Sequence, residues 1–364
     1  MQWHCFERST AMGVERRPMR SSQPVGWEVM SCQMSCRTKE RHPTVRSNGA
    51  RATRRTILAT GAGAALAAVS LSPPAHAAAS VHSSSTASGA ADRTARELRA
   101  LEREHSARLG AYAHDTATGR TVVYRPDERF PMCSLFKTIG AAAVLRDLDR
   151  RGEFLARRIR YTAQYVEASG NSPITGRPDN LSGGMTVAEL CAYSITHSDN
   201  TAANLLLREL GGPGAVTRFC RSIGDPVTRL DRWEPELNSA EPWRGTDTTT
   251  PRAVGRTYAR LVLGDALVPC DRRLLTGWLL ANTTSGERFR AGLPADWTVA
   301  DKTAGGSYGG NNNAGIAWPP GRPPVVLAVM TTKPDRDAPA DNPLVARTAG
   351  VLAAALSRPP TTAR

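Results

Sequence analysis

An α/β chain of the α+β sandwich type is predicted: one antiparallel sheet built from both ends of the polypeptide and flanked by helices, with an all-helical region beside it. Three observations predict it. Short apolar runs with strand character occur early, at residues 109–113 and 120–124, and again late, at 297–300, 314–318 and 324–332, bounded by turn residues. Between them, residues 150–260 carry helical periodicity broken by Gly and Pro, as expected of short packed helices. One stretch, 134–148, is apolar nearly all round before Arg146 and must therefore be buried on every side. Strands at both ends with helices inserted between them imply a single sheet made from both termini. The groove between sheet and helical region is the expected place for a site.

In chain order, Thr53-Arg54-Arg55-Thr56-Ile57-Leu58 opens an Ala/Gly-rich apolar run that ends near Leu71 and is followed by Ala75-His76-Ala77. This is the pattern of a twin-arginine export signal cleaved near Ala77, and it predicts a secreted protein. The apolar run, about 15 residues and weakly hydrophobic, is too short for a stable membrane span. Residues 1–50 have no place in such a signal, so residues 1–77 read as an over-long leader plus signal, with Met30 and Met34 as equally good starts. Residues 78–92, rich in Ala, Ser and Thr, are expected to form a flexible tail. The folded domain then spans 93–358, with an all-helical region at about 138–282 inserted in its α/β part.

Within the domain, 93–108 reads as an amphipathic helix through Leu98 and Leu101. Asp115-Thr116-Ala117-Thr118-Gly119 is a turn between the first two strands. Helices are expected at 186–196, 200–210, 213–223, 251–263 and 271–282, and a closing helix at 344–356. The long aperiodic stretch between Ile223 and Pro251 suggests function more than scaffold.

The net charge of +14 overstates the domain, because 11 of 47 basic and 4 of 33 acidic residues precede Ala78, leaving +7. Runs such as Arg157-Arg158-Ile159-Arg160 lack interleaved aromatics and any nucleic-acid module, so they read as a solvated face and no nucleic-acid partner is expected. After the leader, four cysteines remain, Cys133, Cys191, Cys220 and Cys270. Their spacing fits no zinc signature, and free buried thiols are expected.

Pro131-Met132-Cys133-Ser134-Leu135-Phe136-Lys137 places Ser134 and Lys137 one turn apart at the start of the buried helix. Both side chains then share a face near free N–H groups and a positive dipole end. A hydroxyl beside an amine that can take its proton is what nucleophilic attack by serine requires; the plainer reading is a serine cap and a surface lysine. Basic usage weighs on that choice. Of 36 basic residues from Ala78 onward, Lys137, Lys302 and Lys333 are the three lysines. A lysine kept where arginine is the habit points to a task that needs loss of a proton. Ser198-Asp199-Asn200 stands at the start of a helix, where ordinary capping would also explain it. Lys302-Thr303-Ala304-Gly305-Gly306 follows a strand expected at 298–301, and Arg232-Trp233-Glu234-Pro235-Glu236-Leu237-Asn238 lies in the aperiodic stretch.

Together these four segments resemble the class A serine β-lactamases, in that family's order and spacing, over residues 98–356. The resemblance implies the β-lactamase/transpeptidase-like fold, a monomer without metal or cofactor, a small-molecule β-lactam substrate and no stable membrane association. It implies Ser134 as the nucleophile and the N–H groups of Ser134 and Gly305 as the oxyanion hole. Lys137 and Glu234 share the base role for acylation. Glu234, with Asn238 holding a water, serves deacylation. By the same resemblance Ser198 passes a proton to the ring nitrogen, Asn200 holds the side-chain amide, and Lys302 and Thr303 anchor the carboxylate. Arg288 supplies a further fork for that carboxylate, and Arg232 with Asp247 forms the ion pair closing the omega loop. A penicillin-binding or β-lactam-sensing protein is the alternative, and a catalytically idle binding protein a third reading.

Departures from the family pattern carry expectations too. Ala304 replaces the glycine of Lys-Thr-Gly, and its methyl is expected to crowd the Ser134 side and reduce pocket volume. Asn171 stands where many members carry an aromatic gate. Cys191 and Cys133 match cysteines that pair in some relatives, but their partner positions are Ala141 and Gly306, so neither bridge can form.

Overall fold

The computed structural model describes residues 81–357; the leader and signal readings lie outside them. Helix α1, Val81–Glu104, precedes β1, Arg108–Asp115, and β2, Thr121–Tyr124. After the short β3, Phe130–Pro131, and a single 3₁₀ turn, Cys133–Leu135, comes α2, Phe136–Ala143. The middle of the chain holds β4 (Arg158–Ile159), α3 (Ala163–Ser169), α4 (Pro178–Gly183), β5 (Met185–Thr186), α5 (Val187–Thr196), α6 (Asn200–Glu209) and α7 (Gly214–Ser222). Then follow β6 (Thr248–Thr249), α8 (Pro251–Val262), α9 (Pro269–Leu280) and α10 (Phe289–Gly292). The chain closes with β7 (Thr298–Gly306), β8 (Gly310–Trp318), β9 (Val325–Thr332) and α11 (Asn342–Ser357).

Five strands form one antiparallel sheet in the order β2-β1-β9-β8-β7. The first and last strands of the domain thus meet, with Tyr112 opposite Ala328, as the strand runs at both ends required. The period of two sorts the side chains onto two faces. Leu109, Ala111, Leu327 and Val329 pack under α1 and α11 with Leu98, Leu101, Leu344 and Leu352. Tyr112, Val326, Ala328 and Met330 face the opposite way, into the larger cluster of α8 and the helical region. Each of these buried Leu, Val and Met side chains contributes about 1.5–3 kcal/mol, so a register slip by one residue would be costly on both faces.

Helix α2 is buried over its whole length, as its unbroken apolar surface demands. Its fully buried neighbour Tyr258, from α8, donates to the Leu135 carbonyl or the Thr138 hydroxyl, 3.0 and 2.9 Å away.

Three expectations are corrected. Helix α1 begins at Val81, inside the stretch 78–92 expected as a tail. A helix nucleated by docking of Leu98 and Leu101 can extend backwards at one bond per residue. The Lys302–Gly306 segment does not follow a strand ending at Asp301 but lies within β7, because β8 supplies a partner for every residue through Gly306; pairing overrides the weak strand preference of Gly. Cys133, Cys191 and Cys220 are free and buried as expected, but Cys270 is disulfide-bonded.

Candidate active site

Ser134 is the middle residue of the 3₁₀ turn and is 5% exposed. Cys133 before it sits at φ +45°, a conformation that costs a non-glycine residue on the order of 1–3 kcal/mol and concentrates at functional sites. Ser198 is held likewise at φ +57°. Both residues are strained at the point where their element turns toward the same groove.

Lys137 joins the two sides. Its Nζ donates to the Ser198 carbonyl and Asn200 Oδ1, each at 2.7 Å, and lies 3.4 Å from Ser198 Oγ. At 3.0 Å stands Glu234 Oε1, with both side chains fully buried. Asn238 donates its side-chain N–H to Glu234 Oε2. Glu234 Oε1 meets the ammonium as an ion-pair partner without a hydrogen bond of its own, and the adjacent Asn238 Oδ1 also lacks a donor.

Capping and site chemistry divide the Ser198-Asp199-Asn200 motif between them. Asp199 Oδ1 accepts from Ala202 N at 2.9 Å, which caps α6. Its carboxylate also takes Ile174 N, Thr175 N and the Thr175 hydroxyl at 2.8–3.0 Å. Asp199 is thus structural, and it presents Ser198 and Asn200 on either side. Asn204 was not foreseen. It brackets Glu234 by donating to its carbonyl at 2.9 Å and accepting from its N–H at 3.1 Å. Its signal was available, since i and i+4 share a helix face and Asn204 stands one turn beyond Asn200.

The 232–247 loop is closed by one carboxylate. Asp247 Oδ2 accepts Arg232 Nε at 2.6 Å, and Oδ1 accepts the Asp231 and Arg232 N–H groups at 2.7 and 2.9 Å. Arg232 Nη1 also donates to Ser239 Oγ at 2.9 Å.

Strand β7 forms the opposite wall. Asn312, facing Ala304 across the ladder, donates its amide to the Pro131 carbonyl at 2.9 Å, which ties the sheet to the Ser134 turn. Gly305 is exposed. A Cβ at Gly306 would fall 2.8 Å from Cys133 Sγ and 2.9 Å from the Asn238 carbonyl oxygen, so only glycine fits where the three segments meet. Ala304, 3% exposed, belongs to the apolar cluster that includes Cys133 and Leu135; its methyl is packed inward and does not stand in the open groove. Lys302 is fully buried, with Nζ donating to the Thr303 carbonyl at 2.6 Å. Burial, and then the cations Lys137 and Arg288, hold its pKa well below the ordinary lysine range. Thr303 Oγ1 hydrogen-bonds with Thr284 Oγ1. Beneath them Asp301, raised in pKa by burial, accepts from Ser285 and Asn282.

Arg288 departs from the expected free fork. Nε donates to Asn342 Oδ1 at 2.9 Å, and Nη1 to the Ala304 and Asn312 carbonyls at 3.1 and 3.3 Å. Burial draws its pKa down to about 10, so it stays charged at neutral pH. Nη2 makes none of these bonds. Arg288→Ala should therefore cost stability as well as any rate: leaving those buried acceptors unpaired is worth about 1–3 kcal/mol. Thermal denaturation checks this, and an unchanged Tm would mean that the strand pair does not depend on the guanidinium.

Among the described residues, no group of three or more His, Cys, Asp or Glu stands together as a metal site, and no helix is long and apolar enough to cross a membrane.

A sheet made from both termini, helices on both its faces, and a serine turn facing a buried lysine define the transpeptidase-like α+β class. Residues 93–356 match the model of the β-lactamase enzyme family. The chain is 67% identical over 309 residues to a β-lactamase of Streptomyces fradiae, covering 85% of this chain and 98% of that one. It is 64% identical over 321 residues to that of Streptomyces albus G, covering 86% and 99%. The solved Streptomyces albus G β-lactamase superposes with a TM-score of 0.71 at 69% identity, over 72% of this chain and 98% of the other. A β-lactamase structure from Desulfarculus baarsii gives 0.71 at 47% identity, over 74% and 99%. The chain belongs to the β-lactamase enzyme family, and its type is class A of the actinomycete kind.

Proposed function

We propose that this β-lactamase opens the β-lactam amide through an acyl-serine intermediate on Ser134 and releases it with a water activated by Glu234, so conferring β-lactam resistance. The observation that carries the reading is the fully buried Lys137–Glu234 pair, 3.0 Å apart, with Asn238 on the second carboxylate oxygen. A water donating to Glu234 Oε1 and Asn238 Oδ1 would satisfy both undonated acceptors, and it would lie against a base. The same pair lets either Lys137 or Glu234 accept the Ser134 proton during acylation. Trapping of the acyl-enzyme by Glu234→Gln, with steady turnover by the unsubstituted protein, tests the reading against a penicillin-binding protein that acylates once.

In this scheme the N–H groups of Ser134 and Gly305 take the oxyanion. Ser198, next to Lys137, returns the proton to the departing nitrogen. Asn200 and Thr303 hold the substrate amide and carboxylate. Lys302 and the Nη2 end of Arg288 supply positive charge for that carboxylate.

Lys302 gives the scheme a pH signature. If its cation is required, kcat/KM for an anionic penicillin should fall as pH rises through the lowered lysine pKa, well below the usual value of about 10.4. Lys302→Arg, which does not lose its proton, should move that alkaline limb upward even where the rate drops. A wild-type profile flat to about pH 10 would remove Lys302 from the carboxylate site.

The reading extends to a monomer secreted through the twin-arginine route after cleavage near Ala77, acting on small molecules without a nucleic-acid or membrane partner.

A further inference from the structure

The turn between β7 and β8 is gripped from two directions. On one side its backbone is fixed to the segment after β9, with Lys333 N donating to the Tyr308 carbonyl at 2.5 Å and Tyr308 N to the Arg336 carbonyl at 2.7 Å. The Lys333 stem also fills the space beside Gly309. On the other side it meets the 232–247 loop. Ser307 N donates to the Asn238 carbonyl at 2.9 Å, and the Tyr308 ring packs edge-on against Trp243, with centroids 5.2 Å apart at 79°. Trp243 is 71% exposed, more than any other large hydrophobic side chain of the described residues. An aromatic left this far in water is held by little besides the ring contact it makes. The turn is therefore a fixed jaw, and the loop carrying Glu234 and Asn238 is fastened to it through one backbone bond and one ring contact.

We propose that Trp243 and Tyr308 form a clasp that holds this loop against Gly305 and Gly306 and so sets how bulky an acyl side chain the cleft accepts. Trp243 touches no reacting atom; it is a positioning residue. Releasing the ring lets the Asn238 carbonyl and Ala240, both packed against Gly306, move away from the sheet edge and widen the space beside the acyl group. The same movement loosens Asn238 on Glu234. This second effect rests on the reading of Glu234 and Asn238 as the deacylating pair.

The test compares kcat and KM for benzylpenicillin and for a cephalosporin with a large oxyimino side chain, in Trp243→Ala, Tyr308→Ala, the double variant and Trp243→Phe. Trp243→Ala should raise kcat/KM for the cephalosporin and lower kcat for benzylpenicillin, each by roughly two- to tenfold, the span a ring pair of this kind supports. Tyr308→Ala should do the same, the double variant no more than either, and Trp243→Phe should restore the original ratio. Equal factors for both substrates, no change, or additive effects of the two residues would overturn the clasp. Glu234→Gln, measured beside them, separates the failures. A stalled acyl-enzyme there with an unmoved substrate ratio in Trp243→Ala sinks the clasp and spares the base, whereas an unstalled Glu234→Gln sinks the base and leaves the substrate ratio to decide the clasp.

Discussion

Glu234→Gln should leave acylation of Ser134 in place and slow deacylation by about 10²–10⁴-fold, the usual contribution of a positioned general base. The hydrogen bonds around residue 234 survive the substitution. A glutamine carbonyl oxygen can still accept the Asn238 amide, and Asn204 still brackets the backbone of residue 234. Lys137 keeps the Ser198 carbonyl and Asn200 Oδ1 as acceptors but loses its buried counter-charge, so a loss of stability accompanies the kinetic effect. What disappears is a group able to take a proton from water. The expected signature is a burst of one product per enzyme followed by a much slower phase, with the mass of the intact protein raised by the acyl group. Steady turnover without an accumulated adduct would show that residue 234 is not the deacylating base. If acylation slowed as much as deacylation, the proton of Ser134 would pass to Glu234 and not to Lys137.

The Lys137 geometry also shows how local spacing brings these side chains to one groove. Ser134 and Lys137, Ser198 and Asn200, Lys302 and Thr303, and Glu234 and Asn238 are each close pairs in the chain, and local spacing fixes which face they share. The lysine bias told in the same direction: Lys137 and Lys302 are both fully buried and stand at the groove, not on the solvated face where this chain uses arginine. Lys333 is different, paired with Asp341 at 2.9 Å near the surface. Its compact stem beside Gly309, not a titration, accounts for it.

Arg288 marks where sequence reading stops. Its partners Asn342, Ala304 and Asn312 come from three other places in the chain, and nothing local announces that its fork is largely spent on them. The inward packing of Ala304 was hidden for the same reason, since which side of β7 meets the Ser134 turn depends on the pairing with β8. Asp199 was half legible. Capping and site chemistry share one motif, and the cap falls to the middle residue alone.

Asp247→Asn should destabilise the protein by about 3 kcal/mol, the lower end of the 3–5 kcal/mol for breaking a buried pair. The lower end applies because the Arg232 side chain is 26% exposed against 2% for Asp247, and Glu241 stays 3.6 Å from its Nη2, so the guanidinium keeps water and a second carboxylate. Asparagine is the informative replacement. Asp247 sits at φ +53°, which Asn adopts more readily than Ala, so backbone strain is held nearly constant. The single amide oxygen cannot serve Arg232 Nε together with the Asp231 and Arg232 N–H groups. In a domain of this size about 3 kcal/mol corresponds to a Tm lower by roughly 6–12 °C. Deacylation should weaken with it, because the segment 232–239 that carries Glu234 and Asn238 is tied down by the same carboxylate. A Tm within about 2 °C of the parent would mean that the loop is held chiefly by Asn204 and the sheet edge, and that the Asp247 carboxylate is a minor fastening.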